Sequence, residues 1–107
     1  MKFHAHIVLL LTILVSIHYS YALAQENNEQ KIEGLTLHPN PVNTGLLFIT
    51  SNHSGAKTIE IFDVLGKRRL AASILGNALD ISRLTPGLYI LKITQDGKSE
   101  TRKLVVK

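Results

Sequence analysis

Beyond Gly34, no stretch of the chain runs the length of an average α-helix before a glycine or proline interrupts it. The runs between the breaks are short and rich in β-branched and aromatic residues, which suit a pleated, half-buried surface. Thr58-Ile59-Glu60-Ile61 alternates strictly, and Tyr89, Leu91 and Ile93 project from one face of a single strand. Strands are therefore predicted over Leu35–His38, Leu46–Ser51, Lys57–Asp63, Arg68–Leu75, Ala78–Ile81, Leu88–Gln95 and Ser99–Val106. Pro39-Asn40-Pro41 fixes two φ angles and keeps His38 and Asn40 out of the helical region. Asn43-Thr44-Gly45, Ser54-Gly55, Leu65-Gly66-Lys67 and Gly76-Asn77 each supply a residue able to take positive φ, and Pro86-Gly87 fits the centre of a type II turn. Seven short strands spaced in this way indicate an all-β antiparallel sandwich.

The last hairpin is specified in more detail. Gln95-Asp96-Gly97-Lys98 has Asp-Gly at its centre, the chemistry of a two-residue type I′ turn. That turn pairs Tyr89 with Leu104, Leu91 with Arg102 and Ile93 with Glu100 on one face. On the other face it pairs Leu88 with Val105, Ile90 with Lys103 and Lys92 with Thr101. Apolar pairing is strongest at the base, so the C-terminal strand is expected to lie against the core.

The N-terminus has a different character. Lys2 and two histidines precede Ile7–Ile17, apolar but for Thr12 and Ser16, and the stretch closes on Ala22-Leu23-Ala24. This is the pattern of a secretory signal peptide over residues 1–24, with Ala22 and Ala24 at the cleavage site. The apolar run is shorter than the roughly 20 residues of a membrane-spanning helix, so no integral span is expected in the mature chain. Gln25–Gly34 is polar with one aliphatic residue and reads as a flexible linker ahead of a domain over residues 35–107.

Composition removes most chemistry. With no cysteine there is no disulfide, thiolate metal site or thiol nucleophile, and a small exported domain must then rest on a well-packed core. The net charge of +4, or +3 once Lys2 is removed, is small and dispersed, and does not suit nucleic acid. His38 and His53 have no ligand partners at metal-site spacing and read as surface loop residues, and no Gly-x-Ser-x-Gly occurs. Glu60 alternates with apolar neighbours and so faces solvent, while Asp63, Asp80 and Asp96 stand at strand ends, positioned to cap turn amides. Lys67-Arg68-Arg69 is the only basic cluster, either a solvated turn or a contact for an acidic partner. Phe48, Phe62 and Tyr89 are expected in the core, which leaves no exposed aromatic platform for sugar or single-stranded nucleic acid. No catalytic, cofactor-binding or metal-binding residue is predicted.

Four segments in order resemble one family. Leu37-His38-Pro39-Asn40-Pro41-Val42 is similar to the opening of the C-terminal sorting domains of the type IX (Por) secretion system, and the type A subclass fits best. Ile59–Lys67 resembles that family's segment ending in Asp-Leu-x-Gly-Lys, and Asp80–Ile93 its Gly-x-Tyr stretch. Lys103-Leu104-Val105-Val106-Lys107 resembles its basic–aliphatic–basic ending. The resemblance implies a seven-stranded Ig-like antiparallel β-sandwich that acts as an export label, with no enzymatic activity and no cofactor. Carried over by position, Pro39, Asn40 and Pro41 set the first corner, Asp63, Gly66 and Lys67 the central turn, and Gly87 and Tyr89 the start of the penultimate strand. Lys103, Leu104 and Lys107 belong to the terminal recognition strand.

The implied partners are the outer-membrane translocon and a sortase-like peptidase. The implied route runs through the periplasm to the cell surface or medium, and a monomer is expected. A final strand would offer its edge to a receptor by backbone pairing, with Lys103 and Lys107 discouraging self-pairing. Family members normally carry a sizeable cargo ahead of this domain, whereas only Gln25–Gly34 separates it here from the signal peptide. A small exported Ig-like binding or adhesion module is the alternative, because a fold does not fix a function.

Overall fold

Period-two alternation sorts these strands into two layers. The computed structural model describes residues 30–107, so the expected signal peptide with Ala22 and Ala24 lies outside the described residues. All seven predicted strands form, each end within one residue of its predicted place: β1 Thr36–His38, β2 Leu46–Thr50, β3 Lys57–Asp63, β4 Arg68–Ile74, β5 Ala78–Asp80, β6 Gly87–Gln95 and β7 Lys98–Val106. They make two antiparallel sheets, one ordered β1-β2-β5 and the other β4-β3-β6-β7. The fourth strand thus joins the sheet of the third, unlike the constant-type immunoglobulin order.

Between the sheets, Leu47, Ile49 and Leu79 meet Ile59, Ile61, Leu91, Ile93 and Leu104, all buried. The β6–β7 hairpin has the predicted register throughout, from Gln95 opposite Lys98 to Gly87 opposite Val106. Asp96 and Gly97 have φ of 52° and 74°, the two positive angles a type I′ turn requires. Val106 is buried with Leu104, so β7 lies against the core to its last residue.

Three expectations are corrected. Gly87 has φ of 159° and opens β6 opposite Val106, so Pro86-Gly87 is not the centre of a type II turn, which needs about +80° there. The corner is made earlier. The Ser82 amide donates to Asp80 Oδ1 at 2.9 Å, the Leu84 amide to the Ile81 carbonyl at 2.9 Å, and the Tyr89 hydroxyl to the Thr85 carbonyl at 2.6 Å. That last bond is a tyrosine corner, which ties the strand to the loop that feeds it. Phe48 and Phe62 are not core residues, because they alternate with Ile49 and Ile61 and so lie half-buried on the outer faces. Phe48 stacks there on His38, with ring centroids 5.5 Å apart.

The third correction concerns the linker. Ile32 is 3% exposed and belongs to the core with Leu35. The Gln30 amide donates to the Ser99 carbonyl at 3.2 Å, and the Asn52 amide to the Glu33 carbonyl at 2.9 Å. Glu100 points into the sandwich, where an unsatisfied carboxylate is costly. It accepts from the Ile32 amide at 3.0 Å and pairs with Arg102. A single aliphatic side chain and one buried acid therefore convert residues 30–34 from spacer into a strap. Ile32→Ala should lower stability by about 2–5 kcal/mol in urea denaturation, whereas truncation in a flexible linker would leave the midpoint unchanged.

Candidate functional site

Strand register gathers the residues that carry the family resemblance. Asp63, Tyr89 and Leu104 form one row across β3, β6 and β7, and Gly87 lies opposite Val106. The β3–β4 turn, the start of β6, the end of β7 and the Pro39–Val42 segment therefore meet at one end of the four-stranded sheet.

The turn is held by its own carboxylate. Asp63 Oδ1 accepts from the Leu65 amide at 2.9 Å and the Lys67 amide at 3.0 Å, while Oδ2 accepts from Arg69 Nε at 2.8 Å. The Asp63 amide donates to the Lys67 carbonyl at 2.9 Å, the Gly66 amide to the Asp63 carbonyl at 3.0 Å, and Gly66 supplies the φ of 83° that closes the loop. The Lys67 amide, with Arg69 and the Leu65 amide behind it and desolvation opposing, holds the Asp63 carboxyl below its ordinary value. This rigid turn presents Val64 and Leu65 to solvent, 69% and 90% exposed. Arg68 sits 3.3 Å from Glu60 and Arg69 is bound to Asp63, so of the basic cluster only Lys67 has no carboxylate partner.

On the outer face beside this turn, Phe62, Ile90 and Lys103 form one row, followed by Leu88 opposite Val105. Leu88 and Val105 are exposed aliphatics, and exposed Lys103 and Lys107 flank them. The result is an apolar patch with a cationic rim. Leu88, Ile90, Val105, Val64 and Leu65 escape a search for polar chemistry, yet the first three carry a readable signal: they are apolar at positions out of phase with the core row Tyr89, Leu91 and Leu104, while Val64 and Leu65 are apolar in a turn.

Pro39-Asn40-Pro41, whose two X–Pro bonds are cis, faces the edge of β7. Asn40 Nδ2 donates to the Lys103 carbonyl at 2.9 Å, and its Oδ1 accepts from the Val105 amide at 3.0 Å. The Val42 amide donates to the Val105 carbonyl and its carbonyl accepts from the Lys107 amide, both at 2.9 Å. One side-chain amide and one residue of backbone thus stand in for a neighbouring strand. This corrects the expectation that the terminal strand offers its edge: between Lys103 and Lys107 that edge is occupied from within. Leu104 and Tyr89 face inward and Asp63 is half-buried, whereas Gly66, Lys67, Gly87, Lys103, Lys107 and the Pro39–Pro41 corner are exposed. His53 stands 3.3 Å from Asp96 at the opposite end of the hairpin, and no cluster able to hold a metal occurs among the described residues.

The secretion system C-terminal sorting domain family matches residues 36–107, from the first residue of β1 to the last of the chain. The chain belongs to this type IX sorting family. Among solved structures it is similar to PorZ, an essential bacterial surface component of the type IX secretion system of Porphyromonas gingivalis. The TM-score is 0.57 at 16% identity, over 77% of this chain and 12% of that one, a likeness of fold. Comparison with curated proteins gave no match. The sorting domain is thus a secretion signal, and export toward the outer membrane or cell surface goes with it. No helix among the described residues is long and apolar enough to cross a membrane.

Two outcomes follow from this geometry. Asn40→Ala removes both edge bonds and should cost roughly 1–2 kcal/mol in urea denaturation, with faster hydrogen exchange at the Val105 amide. Asp80, like Asp63, is held below the ordinary 3.8, by the Ser82 hydroxyl and amide and by Arg83. Folded carboxyls of this kind release protons more readily than unfolded ones, so their stabilisation is present above 3.8 and is lost as pH falls through the lower folded values. The urea midpoint should therefore drop below about pH 4, and Asp63→Asn should flatten that drop.

Proposed function

We propose that this domain is a non-catalytic export address, and that it is read through the apolar, lysine-rimmed end of its four-stranded sheet. Its readers are the type IX translocon and then a sortase-like peptidase. The observation that carries this is convergence: segments far apart in the chain, each resembling a family motif, meet where Leu65, Leu88 and Val105 lie exposed. Burial of such side chains supplies the apolar part of the affinity, against the cost of association. Lys67, Lys103 and Lys107 add attraction and orientation toward an acidic receptor surface. The signal peptide ending at Ala24 provides the prior passage into the periplasm.

Backbone pairing at the end of β7 is not the mode of docking, because Asn40 and Val42 hold those groups. Deleting residues 104–107 would remove buried Leu104 and Val106 and unfold the label, so substitutions that leave the core intact make the sharper test. A reporter fused ahead of the full chain should reach the cell surface or medium only when the secretion system is intact. Leu65→Glu combined with Val105→Glu should reduce surface delivery about tenfold, a loss worth roughly 1.4 kcal/mol of docking, with the urea midpoint little changed. Undiminished delivery of that variant overturns the docking surface. A wild-type reporter retained in the periplasm would point to a binding or adhesion module instead.

A further inference from the structure

The two flanks of the sandwich are finished differently. On the β7 side, the segment from Gln30 to Val42 follows the gap between the sheets, where Ile32 and Leu35 plug it and Asn40 and Val42 bind the strand edge. No such strap covers the β4 side among the described residues. β4 is the outermost strand there, and the ladder shows which of its backbone groups point outward. Val105 and Lys107 turn their amides toward Asn40 and Val42, so Leu104 and Val106 turn theirs toward β6. Following that alternation through the registers of β6, β3 and β4 directs Leu70, Ala72 and Ile74 at β3. The N–H and C=O groups of Ala71 and Ser73 are left on the open side.

The usual safeguards of an edge are missing from this stretch. From Leu70 to Ile74 there is no proline, no charge and no bulge, since the register shift lies at Ile61/Phe62 and both cations of β4 occupy its first two positions. Beside the edge run two adjoining hollows between the sheets. One, of about 320 Å³, is lined by Leu70, Ala71, Ala72, Leu79, Asp80 and Arg83, and the other, of about 410 Å³, by Arg69, Arg83, Leu84, Thr85 and Tyr89. Arg83 is exposed and belongs to both, while the Asp80 carboxylate is already engaged by Ser82.

We infer that the β4 edge receives an extended, acidic segment of a partner protein by strand addition. Its backbone pairs with Ala71 and Ser73, alternate side chains enter the hollow beside Leu70 and Leu79, and a carboxylate meets Arg83. Two features select this occupant: ladder groups at strand spacing pair only with an extended chain, and exposed Arg83 makes no ion pair among the described residues, whereas Arg69 is held by Asp63. This surface lies on the flank away from Asn40 and stands whether or not the motif end docks to the translocon.

The test uses the full-length protein and a short capped peptide of alternating valine and glutamate, followed by amide NMR and hydrogen exchange. Binding should slow exchange at the Ala71 and Ser73 amides, and the valine–lysine counterpart should bind at least about tenfold more weakly. Ala71→Pro and Ser73→Pro each remove an outward donor and no bond to β3, and should abolish binding. Arg83→Glu keeps every donor and should reverse the preference between the two peptides, a readout that survives even if a proline variant misfolds. The inference is overturned by equal binding of the two peptides, by protection confined to the β7 flank, or by unchanged binding of the proline variants. It is also overturned if the protein alone is a dimer with Ala71 and Ser73 already protected, since a second copy would then be the occupant.

Discussion

Everything else in this domain hangs on the pairing of β6 with β7. The hairpin supplies Tyr89, Leu91, Ile93, Leu104 and Val106 to the core, and its register is set by one Asp-Gly turn. Its outer edge seats Asn40 and Val42, and near its tip Glu100 and Ser99 hold the strap that brings Ile32 inward. Sheet, corner and strap thus all converge on the last strand of the chain. A sandwich built this way closes only once β7 has paired with β6. The surface that carries Lys103, Val105 and Lys107 therefore exists only in the folded domain.

What was legible in the sequence, and what was not, follows the range of the physics involved. Strand boundaries and hairpin register are local: alternation and the positive φ of Asp96 and Gly97 settle them within a few residues. Pro86-Gly87 is ambiguous as sequence, because the same pair fits either a type II turn or the extended start of a strand. A bond from Tyr89 back to Thr85 decides between them. The strap was missed for a different reason. Gln25–Gly34 has the composition of a linker, and nothing in it reveals that Glu100, far away in the chain, needs the Ile32 amide.

The candidate site was half legible. The motif positions were found, but their parts divide once the geometry is known. Asp63, Gly66 and Tyr89 build the turn and the corner, Leu104 fills the core, and Asn40 closes an edge. The side chains actually presented include Leu65, Leu88 and Val105, which look like core residues to any scale of hydrophobicity. Phase exposes Leu88 and Val105, which sit on the outer face of their strands, and the turn between β3 and β4 exposes Leu65.

The two edges of the four-stranded sheet are finished differently. Self-pairing of an edge is avoided by charge, by a covering segment or by a bulge. At the end of β7 the chain uses a covering segment, and Lys103 and Lys107 are exposed beside it. The side-chain amide of Asn40 matches the spacing of one carbonyl and one amide on the same strand, which a carboxylate, with no donor, could not do. Closing this edge with a polar side chain keeps the backbone of the terminal strand out of reach while leaving Val105 exposed beside it. Under the proposed docking mode, recognition at this end falls to side chains, whose identity can be read, rather than to main chain, which is the same in every protein.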